Sequence, residues 1–186
     1  SVNNAAGFQF ANVVVPKGAV VQRAYIEVTA SATQSGPALW RIQAQDTDSA
    51  SEFTTGSNIN SRTYRPAQGE DITPDAWVSG ERQRIFVTEA VNDIVNRSGW
   101  CGSNNLAIKI SNVSVSGVTP TQRTAYSYEG APTEDDRPKL VVEYTMDTES
   151  KESKDNQKWY DSYYGGERCT WNSTCPNQAT DSPYGW

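Results

Sequence analysis

Short runs of alternating apolar and polar residues dominate the first 146 positions of the chain. Ala24, Ile26 and Val28 fall on one face and Tyr25, Glu27 and Thr29 on the other, the period of two that marks a half-buried strand. Trp40, Ile42 and Ala44 repeat it against Arg41 and Gln43, as do Leu106, Ile108 and Ile110 against Lys109, and Leu140, Val142 and Tyr144 against Glu143. Turn clusters such as Pro16-Lys17-Gly18, Gln34-Ser35-Gly36-Pro37 and Gly130-Ala131-Pro132 separate these runs, with the spacing of antiparallel strands rather than βαβ units. One segment carries a helical period. From Thr88, a natural N-cap, to Asn96, the residues Ala90, Val91, Ile94 and Val95 form an apolar stripe that ends before Gly99. The pattern predicts an all-β, antiparallel, jelly-roll-like β-sandwich over residues 1–146 with one short helix.

The pattern stops after Met146. Residues 147–186 contain no Val, Ile or Leu but seven aromatic residues: Trp159, Tyr160, Tyr163, Tyr164, Trp171, Tyr184 and Trp186. The segment opens with a charged run, Glu149-Ser150-Lys151-Glu152-Ser153-Lys154-Asp155, of the kind that forms a solvated linker. It reads as a largely irregular tail that cannot build a core of its own. Either it stays in water or, because each ring hides ~150–250 Å² on finding a surface, it docks on its own sandwich or on a neighbouring subunit.

Composition then narrows the chemistry. The chain has no histidine, which removes Ser-His-Asp and Cys-His nucleophilic catalysis and ordinary zinc sites, and no enzyme is expected. A net charge of −6 argues against nucleic-acid and anionic-lipid partners, which need clustered Lys and Arg. No run approaches the ~20 apolar residues of a membrane-spanning helix. Cys169 and Cys175 enclose a short loop able to close as a disulfide in an oxidising compartment. Cys101 is then a buried free thiol, a partner for a tail cysteine or an intermolecular bridge. Three N-x-[ST] sequons, at Asn96, Asn112 and Asn172, are candidate glycosylation sites. With Ser1 in first place and no apolar leader, the chain is read as a mature extracellular product.

Acidic clusters are the candidate cation sites. Asp46 and Asp48 with Glu52 offer oxygen donors of the type that holds Ca²⁺, as do Glu70-Asp71 with Asp75 and Glu134-Asp135-Asp136. The alternative is acidic turns facing water, and none has the glycine-spaced loop of an EF-hand. Trp77, in a turn-rich stretch after Pro74, is with Tyr126 and Tyr128 the candidate platform for a sugar ring. Trp40 and Trp100 read as core, and Arg62, Arg65, Arg82, Arg84 and Arg123 as surface charges or local strand pairs.

Several blocks carry a resemblance. The stretch Gly7-Phe8-Gln9-Phe10-Ala11-Asn12-Val13-Val14-Val15-Pro16-Lys17-Gly18-Ala19-Val20-Val21, followed by Ala24-Tyr25-Ile26, opens it. Ile59-Asn60-Ser61-Arg62, Gly99-Trp100, Asn105-Leu106-Ala107-Ile108, Arg123-Thr124-Ala125-Tyr126-Ser127-Tyr128 and Pro138-Lys139-Leu140-Val141-Val142-Glu143-Tyr144 continue it. Together, over residues 5–145, they resemble the DNRLRE and carbohydrate-binding-module-like jelly rolls of large secreted and surface proteins. The resemblance implies a non-catalytic adhesion, matrix or glycan-binding unit. It also implies a β-strand upstream of Gly7-Phe8, where this sequence has only Ser1 to Ala6, and two tryptophans between Tyr64 and Phe86, where it has only Trp77. A sandwich short of an edge strand invites strand addition. The expected function is thus a subunit of an extracellular filament, appendage or matrix. Its partners are copies of itself or other surface subunits, reached through the tail or the incomplete edge. The alternative is a lectin-like or adhesion module, with or without Ca²⁺.

Overall fold

The computed structural model describes residues 5–54, 56–65 and 71–146. The expectations placed on Cys169, Cys175, Asn172 and the seven tail aromatics lie outside the described residues.

The strands are β1 (Ala5–Val13), β2 (Ala19–Thr29), β3 (Trp40–Ala44), β4 (Asp71–Ile72), β5 (Arg82–Phe86), β6 (Asn104–Asn112) and β7 (Lys139–Met146). A short helix α1 (Gly56–Ser61) lies between β3 and β4, and α2 (Thr88–Val95) between β5 and β6. Two antiparallel sheets result, in the orders β1-β6-β3-β4 and β5-β2-β7. Among the described residues the regular structure is thus mostly strand, as the alternation predicts, with α1 in addition to the expected helix. Among the described residues no helix is long and apolar enough to cross a membrane.

The two inner faces meet in one core, sandwich-like, because the predicted alternation is obeyed. Trp40, Ile42 and Ala44 of β3 and Leu106, Ile108 and Ile110 of β6 face Ala24, Ile26 and Val28 of β2 and Ile85 of β5, all buried. The expected helix appears within a residue of its predicted end and buries Ala90, Val91, Ile94 and Val95 against β2 and β3. Its predicted cap is corrected. Val87 holds the N-cap position without a side-chain bond. The Thr88 hydroxyl instead reaches across to β2, accepting from the Ala24 N–H at 3.0 Å and donating to the Ala24 carbonyl at 3.3 Å. Trp100 is fully buried, its indole N–H donating to the Val15 carbonyl at 2.7 Å, the partner a buried indole requires.

Two irregularities shape the edges. In β1 the pairing with β6 slips by one residue between Phe10 and Val13, where Asn12 adopts φ 52° and its N–H meets the Asn105 side chain at 3.0 Å. In β2 a bulge at Gln22 resets the inward parity from Val21 to Ala24. Phe53 and Ile59 cover β1 at Gly7 so closely that a Cβ there would lie 3.0 Å from both.

Candidate functional site

Among the described residues β1 and β7 form the sheet edges on one side, and there the two sheets do not close. Phe8 and Phe10 point to the inner face, opposite Ile108 and Leu106, yet they are only half-buried, and Ala6 on the same face is exposed. Leu140 and Val142 of β7, opposite the fully buried Ile26 and Ala24, are likewise half-buried. Along the β1 edge, facing residues 122–129, lies a cleft of about 1370 Å³.

The shape of the cleft follows from its walls. One wall is seven consecutive residues of β1, Ala5 to Ala11; the facing wall is eight consecutive residues, 122–129. Val28, Trp40, Trp77, Ile85 and Ile110 reach its floor and Pro138 borders it before β7 begins. Side chains of a strand alternate between faces, so a space touched by every residue from 5 to 11 runs along the strand's edge and not over one face. Among the described residues β1 pairs only with β6, which leaves alternate backbone N–H and C=O groups of β1 directed at this slot.

The facing wall is rigidly held. Its backbone extends the β2 edge through the Ala30–Ala125 bridge, with Ser31 N–H donating to the Thr124 carbonyl at 2.9 Å and Tyr126 N–H to the Thr29 carbonyl at 3.1 Å. Arg123 ties it to the loops, donating to the carbonyls of Asp75 and Gly36, each at 2.9 Å, and to the Thr121 hydroxyl at 2.9 Å. Read from sequence as a surface charge, Arg123 is a loop anchor with its donors committed. Arg62 plays the same part on the other rim: it binds the carbonyl of Ser51 and the side chains of Gln45 and Asn58, each at 2.7 Å, and lies 4.0 Å over the Phe53 ring.

The predicted sugar platform is corrected in its central residue. Trp77 is only 5% exposed and packs edge-to-face on Trp40 with ring centroids 5.8 Å apart. Antiparallel backbone bonds to Gln34 of 2.8 and 2.9 Å pin it there, so its flat face belongs to the core. Tyr126 and Tyr128 both line the cleft, Tyr126 half-buried and Tyr128 59% exposed with the Arg137 guanidinium 4.5 Å over its ring.

The predicted cation site is also reorganised. Arg97 binds Asp48 at 2.6 Å and also binds Asp46, while Arg65 approaches Asp46 at 3.4 Å. These carboxylates, Asp48 foremost, hold the Arg97 guanidinium above its ordinary pKa. Guanidinium groups occupy the place a cation would take, and Gly99 admits the arrangement: a Cβ there would fall 2.1 Å from the Asp48 carboxylate. Glu52 lies apart, on the cleft rim. Among the described residues no three acidic, cysteine or histidine side chains gather as a metal site.

Of the sequons, Asn96 is exposed at the end of α2, where its amide donates to the Asn92 carbonyl at 2.9 Å. Asn112 is half-buried at the end of β6, paired with Trp40. Cys101 is disulfide-bonded, which corrects the reading of a free thiol.

The cleft itself escapes a reading by residue type, since its walls are backbone edges. The Gly7-Phe8-Gln9-Phe10 alternation marks the strand and not the opening beside it. The chain matches no protein-family model, and no curated protein matches it.

Proposed function

We propose that this chain is a non-enzymatic extracellular structural module, a subunit of a filament, appendage or matrix, joined to its neighbours by an extended segment added beside β1. The observation that carries the reading is the strand-shaped slot. It has a seven-residue backbone edge on one side, a pinned extended wall on the other and an apolar floor of core residues between. Its volume of about 1370 Å³ exceeds the ~300–1,000 Å³ usual for small-molecule sites and suits a length of polypeptide. Main-chain bonds to an unpaired edge supply affinity in such joints, and pockets for alternate side chains supply specificity. The Cys101 disulfide supports an oxidising, extracellular setting, in keeping with the secreted modules the sequence resembles.

Electron microscopy of the natively purified, non-reduced protein, with its solution mass, tests the reading. Regular fibres or a large ordered oligomer are expected; a monomer at every concentration would overturn it. A second reading, glycan binding, draws on Tyr126 and Tyr128 in the same cleft. It requires a monomer that binds sugar and loses that binding on Tyr126→Ala.

A further inference from the structure

The slot runs along β1 from Ala5 to Ala11, and β7 starts beside its Ala5 end and finishes beyond the other. Pro138, just before β7, borders the cleft, whereas Met146, the last residue of β7, pairs with Ala19 at the far end of β2. An eight-residue strand at ~3.4 Å per residue separates the two points by about 27 Å. The chain therefore leaves β7 pointing away from the Pro138 end of its own cleft.

Beyond Met146 the sequence holds a charged run to Asp155, able to extend about 30 Å, and then a stretch with seven aromatic residues and no Val, Ile or Leu. Tyr, Trp and Thr, frequent in that stretch, are good strand formers, and aromatic rings favour aromatic surroundings. The cleft supplies such surroundings in Phe8, Phe10, Trp40, Trp77, Tyr126 and Tyr128. It also makes few electrostatic demands. Glu52, Glu129 and Arg123 are its charged lining residues, and Arg123 is committed to loop carbonyls and the Thr121 hydroxyl.

Resting on the strand-addition reading above, we propose that the Trp/Tyr-rich segment 156–164 of one copy occupies the β1 cleft of the next. The contact joins unlike surfaces, so it repeats head to tail and makes an open polymer unless the rotation closes a ring.

The test uses the full chain, oxidised, in two variants. The tail variant carries Trp159→Ser, Tyr160→Ser, Tyr163→Ser and Tyr164→Ser. The cleft variant is Ala6→Lys, which sets a charge on the exposed inner-face position of β1; Gln122→Arg, on the facing wall, replaces it if Ala6→Lys fails to fold. By light scattering, the parent chain is expected to assemble and each variant alone to fall to the 20.4 kDa monomer. An equal mixture is expected to give dimers and nothing longer, since each partner keeps one working half. A tail variant that assembles like the parent overturns this inference. If the cleft variant alone loses assembly, strand addition stands with a different occupant. A parent chain that stays monomeric overturns both readings. A monomeric parent in which the tail variant speeds amide exchange in β1 identifies the occupant as the copy's own tail and overturns the proposal in trans.

Discussion

The two long sides of this fold use the same kind of sequence and end in different states. On the β3–β5 side, Trp40 and Ile42 are buried with Trp77, and α2 lays its apolar stripe across β2 and β3. On the β1–β7 side, inward-facing Phe8 and Phe10 stand half-buried in the wall of a cleft, and Leu140 and Val142 are half-buried as well. Nothing in the alternation of β1 distinguishes it from β3. What differs is whether another element is present to cover the inner face, and that depends on segments distant in the chain. An edge with the composition of a core strand and, among the described residues, no cover is the kind of edge that invites strand addition.

The largest test of this contrast is a pair of truncations. Trp77→Ala is expected to lower stability by roughly 3–5 kcal/mol in urea unfolding, as for a fully packed core ring. Phe8→Ala is expected to lower it by about 1 kcal/mol, because only part of the ~1.5–3 kcal/mol of burying a phenylalanine is realised. Equal losses would mean that the two sides are closed alike. A finer test is native-state hydrogen exchange of monomeric chain. Amides of β1 are expected to exchange faster than those of β3, since, among the described residues, half of the β1 backbone groups lack a strand partner. Equal protection would show the slot to be filled.

The smallest effect lies where the chain enters β7. Lys139 bonds Asp135 at 3.0 Å, and that bond, reinforced by the charges of Lys139 and Arg82, holds the Asp135 carboxyl below its ordinary pKa. A carboxyl lowered on folding adds stability above its unfolded pKa and loses it as the pH falls through the folded value. The turn before β7 is therefore expected to loosen only in the acid range below the usual carboxylate pKa. Lys139→Met should raise the Asp135 pKa in an NMR titration; an unchanged value would show that the bond does not persist in solution.

The elements that can be read from sequence are those whose one face is wholly buried. Ala24-Ile26-Val28, Trp40-Ile42-Ala44 and Leu106-Ile108-Ile110 are legible because burial imposes the period of two, and α2 because its stripe is confined to one side. Tyr144 is less so: expected inward with Leu140 and Val142, it is 39% exposed at the open edge. Trp77 misleads for another reason. Its local context is turn-like, and only the distant pairing with Gln34 carries it into the core. Asp46 and Asp48 likewise look like free acids until Arg97, from beyond α2, is brought to them. The cleft is not legible by residue type, since no side-chain type marks a backbone edge that lacks a partner.

The bulge at Asn12 has a mechanical consequence. A straight edge accepts a partner in many registers, each slipped by two residues with little change in energy. Here the left-handed turn at Asn12, locked to Asn105, bends the edge out of line just past Ala11. Any strand laid along β1 meets a stop at that point, as a rod meets the shoulder of a socket. Depth of insertion is then set by the module, and a chain of such joints would inherit one repeat distance.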